Sequence, residues 1–209
     1  MITVIPSILA KTPEEFTAMV RKLEPHTKRV HLDIIDGEFA PTTTIKGYKE
    51  LLECKTDLLF DVHLMVKKPA EQLKHWFETR ADRIILHAEA EGDMLTMLEE
   101  LEQNGKRRAL ALNPETPFQN VGSFLPHLDF MQFMTVNPGF YGSPFVPEVI
   151  GKIEQFRGMY PHMAIAVDGG ITPETAPQVC TAGASILVVG SYIMNSQDIS
   201  KTIKNLQTQ

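Results

Sequence analysis

The chain has 209 residues, 43% of them hydrophobic and 22% charged, which excludes disordered and fibrous classes and fits one globular domain over residues 1–209. Twenty Lys and Arg stand against 26 Asp and Glu, a formal net charge of −6 at pH 7, and the scattered basic residues argue against nucleic acid as a partner. No run reaches the roughly 18 uninterrupted apolar residues of a spanning helix, so no membrane partner is expected, and Cys54 and Cys180, without Cys-x-x-Cys spacing, read as reduced thiols of a cytoplasmic protein.

In chain order, Ile2-Thr3-Val4-Ile5 meets Pro6 before a signal-peptide core can form and has no basic residue before it, so it reads as a first strand over 3–9. Thr12-Pro13-Glu14-Glu15 supplies an N-cap, a proline at the first helical position and early acids, and Phe16, Met19, Val20 and Leu23 follow at helical spacing. Strands are expected next over 29–34, 58–65 and 83–87, then a helix around 94–101, where Leu and Met recur with Glu between them. Further strands are expected over 108–112, 130–136 and 164–167. Thr172-Pro173-Glu174-Thr175 repeats the grammar of the first helix start, and a last strand covers 185–189. Eight strand–helix units, each beginning roughly 20–35 residues after the last, have the length of βα units. Right-handed crossovers wind every helix outside such a sheet, so the expected fold is α/β: a single-domain (β/α)8 TIM barrel. An open doubly wound sheet is disfavoured, because no early G-x-G-x-x-G follows a strand.

Such barrels keep their chemistry at the C-terminal ends of the strands. Period-2 alternation puts His31 and Asp33 on one face of strand two and His63 and Met65 on one face of strand three, and strand seven ends at Asp168. A lone histidine at a strand end is most often structural, and a lone Asp before glycine is commonly a turn former. Two imidazoles and two carboxylates converging on one barrel mouth point instead to a site for one divalent metal ion, and His2Asp2 suits Zn, Fe, Mn or Co. Asn137-Pro138-Gly139-Phe140-Tyr141-Gly142, Gly169-Gly170 and Gly190-Ser191 follow the last three strands, each able to turn backbone N–H groups toward a phosphate. His87, which ends strand four, reads either as a residue backing the site or equally as a satisfied structural histidine.

These residues carry a family resemblance over nearly the whole chain. Pro6-Ser7-Ile8-Leu9, His31-Leu32-Asp33-Ile34-Ile35-Asp36-Gly37, Asp61-Val62-His63-Leu64-Met65-Val66, Leu112-Asn113-Pro114, Met134-Thr135-Val136-Asn137-Pro138-Gly139-Phe140, Val167-Asp168-Gly169-Gly170-Ile171 and Val189-Gly190-Ser191 together resemble the ribulose-phosphate 3-epimerase family. The resemblance implies a metal-dependent barrel that interconverts ribulose 5-phosphate and xylulose 5-phosphate, usually as an oligomer. It makes His31, Asp33, His63 and Asp168 the metal ligands and Asp33 and Asp168 also the two proton carriers. Ser7 and His63 would contact the substrate, Met65 and Met134 would line the floor, and Gly139, Gly142, Gly169, Gly170, Gly190 and Ser191 would hold the phosphate. Four positions depart from the family pattern. Ile35 stands where methionine is usual, Tyr141 and Ser143 replace a glycine and a glutamine in the loop after strand six, and Thr42 replaces an asparagine. Tyr141 would obstruct the cradle if its position needs positive φ, or its hydroxyl would donate to the ligand. A ketohexose phosphate such as allulose 6-phosphate is the alternative substrate, and a non-catalytic sugar-phosphate-binding barrel the alternative role. A decarboxylase or aldolase is disfavoured, because neither Asp-x-Lys-x-x-Asp nor a strand-end lysine for a Schiff base is present.

Overall fold

The strands carry apolar residues on both faces, the pattern of a parallel sheet covered on both sides. In the computed structural model, which describes residues 2–208, eight of them pair in parallel in sequence order and close into a barrel, β1-β2-β3-β4-β5-β6-β7-β8. Met1 and Gln209, the ends of the expected domain, lie outside the described residues. The strands are β1 Thr3–Ile8, β2 Arg29–Ile35, β3 Leu59–Met65, β4 Ala81–His87, β5 Arg107–Leu112, β6 Phe130–Met134, β7 Ala164–Asp168 and β8 Ile186–Val189. All eight overlap the strands expected from the sequence.

Alternate residues divide between two cores. Val30, Leu32 and Ile34 of β2 and Phe60, Val62 and Leu64 of β3 belong to the layer between sheet and helices. Ile85, Ala109, Ala111, Phe130 and Ala166 form a smaller cluster inside the barrel, where the alanines leave room for larger neighbours. The N-terminal end of the barrel is plugged by charge. Arg29 donates to Asp61 and, at 2.6 Å, to Asp82, while Arg83 reaches Asp61 at 3.3 Å and lies 5.3 Å from the Phe130 ring centre. With that floor in place, the polar residues of the strand C-termini gather at the other mouth.

The outer layer comprises α1 Pro13–Leu23, α2 Tyr48–Glu53, α3 Leu73–Phe77, α4 Met94–Gln103, α5 Glu148–Met159, α6 Ala176–Ala182, α7 Ser191–Met194 and α8 Ile199–Gln207. The first starts as its cap predicts, with Thr12 Oγ1 accepting from the Glu15 amide at 3.2 Å. Two expectations need correction. The link from β5 to β6 holds no α-helix; two 3₁₀ turns, Phe118–Val121 and Leu125–His127, take its place. Pro114, Pro117, Pro126 and Gly122 break that stretch too often for an α-helix, and Phe118, Val121 and Leu125 cover the sheet instead. The helix expected to open at Thr172 begins at Ala176. The Thr175 hydroxyl accepts from the Thr172 amide at 2.9 Å and donates to the Gly170 carbonyl at 2.8 Å, so this threonine pair folds the turn that carries the glycines. Cys54 and Cys180 are free thiols, and no helix among the described residues is long and apolar enough to cross a membrane.

Candidate active site

Strand register decides which polar side chains meet. Asp33 stands beside His63 across β2 and β3, Ser7 beside His31 across β1 and β2, and Met134 beside Asp168 across β6 and β7. His31 and His63 are fully buried, and Asp33 and Asp168 nearly so. His31 Nε2 lies 3.4 Å from Asp33 Oδ1 and 3.5 Å from Asp168 Oδ2, and His63 Nδ1 lies 3.1 and 3.4 Å from the same two oxygens. One donor atom from each of the four residues falls within 4.8 Å of all the others.

Burial by itself would push both imidazoles toward neutrality, yet the facing Asp168 and Asp33 carboxylates outweigh it, lifting the His63 pKa and raising that of His31 to about 10. Burial opposes ionisation of Asp168 too, and the two histidines overcome it, holding the carboxyl below the usual range. Two carboxylates thus place a negative field at the centre of the cluster. His31 Nε2 is buried there without a hydrogen-bond partner, an arrangement that costs stability unless something at the centre satisfies it. A proton on His31 answers the field in part; a divalent cation bound by all four donors answers it fully, so the residues fit a metal ion.

Above the cluster, one cavity is lined by Ser7, Asp33, Met65, Met134, Gly139, Gly142, Asp168, Gly169, Gly170, Gly190 and Ser191, and by no Lys or Arg. His31 and His63 lie beneath its wall. The Gly169-Gly170 turn has φ of +107° and +64°, and a Cβ on Gly169 would sit 2.3 Å from Val136, so only glycine fits there. The Thr135 hydroxyl donates to the Gly169 carbonyl at 2.5 Å and its amide to the Asp168 carbonyl at 2.8 Å, tying the turn to the end of β6. Ile35 packs with Ala40 and Met65 and keeps that wall apolar.

Tyr141 meets neither expectation raised by its position. Its φ is not positive, and its hydroxyl donates to the Ser7 carbonyl and accepts from the Leu9 amide, both at 2.9 Å. The ring lies against Gly190, where an added Cβ would meet Tyr141 Cε1 at 2.5 Å. The side chain therefore straps the loop after β6 to the end of β1, and burial raises its phenol pKa.

The family model for the ribulose-phosphate 3-epimerase family matches residues 3–194. The chain belongs to this family. It is 35% identical to the ribulose-phosphate 3-epimerase of Bacillus subtilis, covering 99% of both chains, and 37% identical to that of Treponema pallidum, covering 90% of this chain and 89% of the relative. Among solved structures, a 3-hexulose-6-phosphate synthase superposes with a TM-score of 0.72 at 15% identity, each chain covered to 99%, a likeness of fold alone.

In this epimerase-family barrel a second ring of polar residues backs the cluster, and sequence reasoning passed over most of it. Gln132 Nε2 donates to Asp168 Oδ2 at 3.2 Å and lies 3.4 Å from His63 Nδ1. Gln132 precedes Met134, which the family resemblance singles out, by two residues on β6, so period-2 alternation counted back from Met134 is the signal that would have pointed inward there. His87, for which the sequence allows either a supporting or a structural role, has Nε2 2.9 Å from His63 Nε2 and Nδ1 3.1 Å from Glu89 Oε2. Burial lowers the His87 pKa to about 4; burial alone would raise that of Glu89, but the contact with His87 and the Asn113 amide bring it to about 2.

Proposed function

We propose that the chain interconverts D-ribulose 5-phosphate and D-xylulose 5-phosphate by moving the C3 proton through an enediolate, with Asp33 and Asp168 as the two proton carriers. The observation that carries this reading is the meeting of both carboxylates at one buried centre, each within 3.5 Å of His31 Nε2, on the wall of the glycine-lined cavity. Inverting C3 requires a base on one face of the sugar and an acid on the other, the two exchanging roles with the direction of reaction. Asp33 enters from β2 and Asp168 from β7, so a planar enediolate lying between them presents one face to each. One carboxylate takes the C3 proton, and the other, starting protonated, returns one to the opposite face. Gln132 donates to Asp168 Oδ2 and holds that carboxyl in place.

His31, Asp33, His63 and Asp168 would hold one divalent ion, of Zn, Fe, Mn or Co, which when bound supplies electrostatic stabilisation of the negative charge developing on the C2 and C3 oxygens. Ser7 contacts the substrate, His63 supports it from below, and Met65 and Met134 exclude water from the reacting carbon. With no basic side chain on the cavity wall, the phosphate is held by backbone N–H groups of Gly139, Gly142, Gly169, Gly170 and Gly190 and by Ser191. The reading is completed by a cytoplasmic homo-oligomer acting on a small ketose phosphate, with no nucleic-acid or membrane partner; the scattered basic residues and the free thiols are what support it.

The test is exchange of the C3 proton of ribulose 5-phosphate in D₂O, followed by NMR with protein loaded with each metal in turn. Deuterium at C3 with formation of xylulose 5-phosphate is expected. Faster turnover of allulose 6-phosphate would move the substrate to a hexose, and binding without exchange of either sugar would leave a sugar-phosphate-binding barrel.

A further inference from the structure

Behind His63 runs a line of three buried or half-buried groups that the epimerase chemistry does not use. We propose that Glu89 and His87 are positioning residues that keep a proton on Nε2 of His63 and so present Nδ1 to the metal; the proposal rests on the reading above only in taking His63 as a ligand.

The polarity of the line is fixed at its outer end. The Asn113 backbone amide donates to Glu89 Oε1 at 2.8 Å, and Glu89 Oε2 lies 3.1 Å from His87 Nδ1. An ionised carboxylate only accepts, so His87 Nδ1 carries a hydrogen. His87 is completely buried, with Phe39 against its ring at 4.4 Å between centroids. Its Nε2 and the Nε2 of His63 are 2.9 Å apart, a distance at which one must donate and the other accept. A neutral His87 whose hydrogen sits on Nδ1 has only a lone pair at Nε2, so the hydrogen between the rings belongs to His63. The opposing pull is also present, since Asp33 Oδ1, 3.1 Å from His63 Nδ1, draws a hydrogen to that nitrogen. Without the outer line, a neutral His63 would put its one proton on Nδ1 and close the nitrogen that faces the cluster. Holding the second nitrogen of a metal-binding histidine is a known means of orienting it; here the carboxylate acts through an intervening imidazole.

Glu89→Gln tests the line, because the Asn113 amide can only donate. The new carboxamide must turn its oxygen to that amide and its NH₂ to His87 Nδ1, so His87 moves its hydrogen to Nε2 and donates to His63, whose proton then sits on Nδ1. Two measurements follow. In metal-free protein with ¹⁵N-labelled histidine, two-bond correlation spectra are expected to show His87 as the Nδ1–H tautomer in the wild type and as the Nε2–H tautomer in Glu89→Gln. In a Co²⁺ titration followed by visible absorption, Glu89→Gln is expected to bind about 10- to 100-fold more weakly, His87→Phe to weaken binding similarly, and Glu89→Gln to add nothing in the His87→Phe background. A wild-type His87 carrying its hydrogen on Nε2 overturns the proposal without any variant, as does unchanged Co²⁺ affinity in Glu89→Gln. Failure of the wild type to bind Co²⁺ would instead overturn the ligand assignment, while the tautomer spectra still judge the line.

Discussion

Gly190→Ala probes the Tyr141 strap directly. The added methyl would lie 2.5 Å from Tyr141 Cε1, 3.0 Å from Cδ1 and 2.8 Å from Ser7 Oγ. Carbon atoms rest at about 3.5–4.0 Å, so the ring must retreat by about 1 Å. Ser7 can rotate its hydroxyl away, but the ring cannot move freely, because its oxygen is held at 2.9 Å by the Ser7 carbonyl and by the Leu9 amide. A shift of that size breaks both bonds, at about 0.5–1.5 kcal/mol each, or about 1–3 kcal/mol in all. For a chain of this length each kcal/mol lowers Tm by about 2–4 °C, so the variant should melt about 2–12 °C below the wild type. Calorimetry on Gly190→Ala, Tyr141→Ala and the double variant separates the strap from other costs. With the ring removed, Gly190→Ala should cost less than about 0.5 kcal/mol, the range over which independent sites add. If Gly190→Ala costs the same in both backgrounds, the ring and the glycine are not coupled and the strap reading is wrong.

Three further outcomes follow from the site. Asp33→Asn and Asp168→Asn should each lower kcat by at least about 10²–10⁴, the range of one general acid–base contribution, with circular dichroism unchanged; near wild-type turnover in either would refute the two-carboxylate mechanism. Chelation should abolish turnover and a divalent ion restore it, and full activity in metal-free protein would count against the cluster of His31, Asp33, His63 and Asp168. Thr135→Val keeps the amide bond to Asp168 but removes the hydroxyl from the Gly169 carbonyl. It should destabilise by about 1–3 kcal/mol in urea melts and raise KM for the sugar phosphate more than it lowers kcat, and unchanged KM would detach Thr135 from the phosphate turn.

Much of the molecule was legible in the sequence, for reasons that are local. A strand buried on both faces must be apolar throughout, so an imidazole or carboxylate at its C-terminal end stands out, as His31, Asp33, His63 and Asp168 did. Where local rules failed, side chains had distant partners. Thr172 looked like a helix cap because its neighbours match one, but the Thr175 hydroxyl is engaged by Gly170 and the helix starts later. The stretch after β5 was counted as a strand–helix unit on alternation alone, though its prolines break any α-helix.

Composition, period and motif thus fixed the barrel, the end at which it works and the four donors. The closed barrel alone decided how those donors meet. Parallel register sets Asp33 against His63, closure brings β7 round to β2, and the resulting burial favours polar side chains that find partners across the barrel. That is why Gln132, Glu89 and the clamped hydroxyl of Tyr141 acquire their places only in three dimensions: each is defined by a partner 24 to 134 residues away, and no spacing rule along the chain reaches that far.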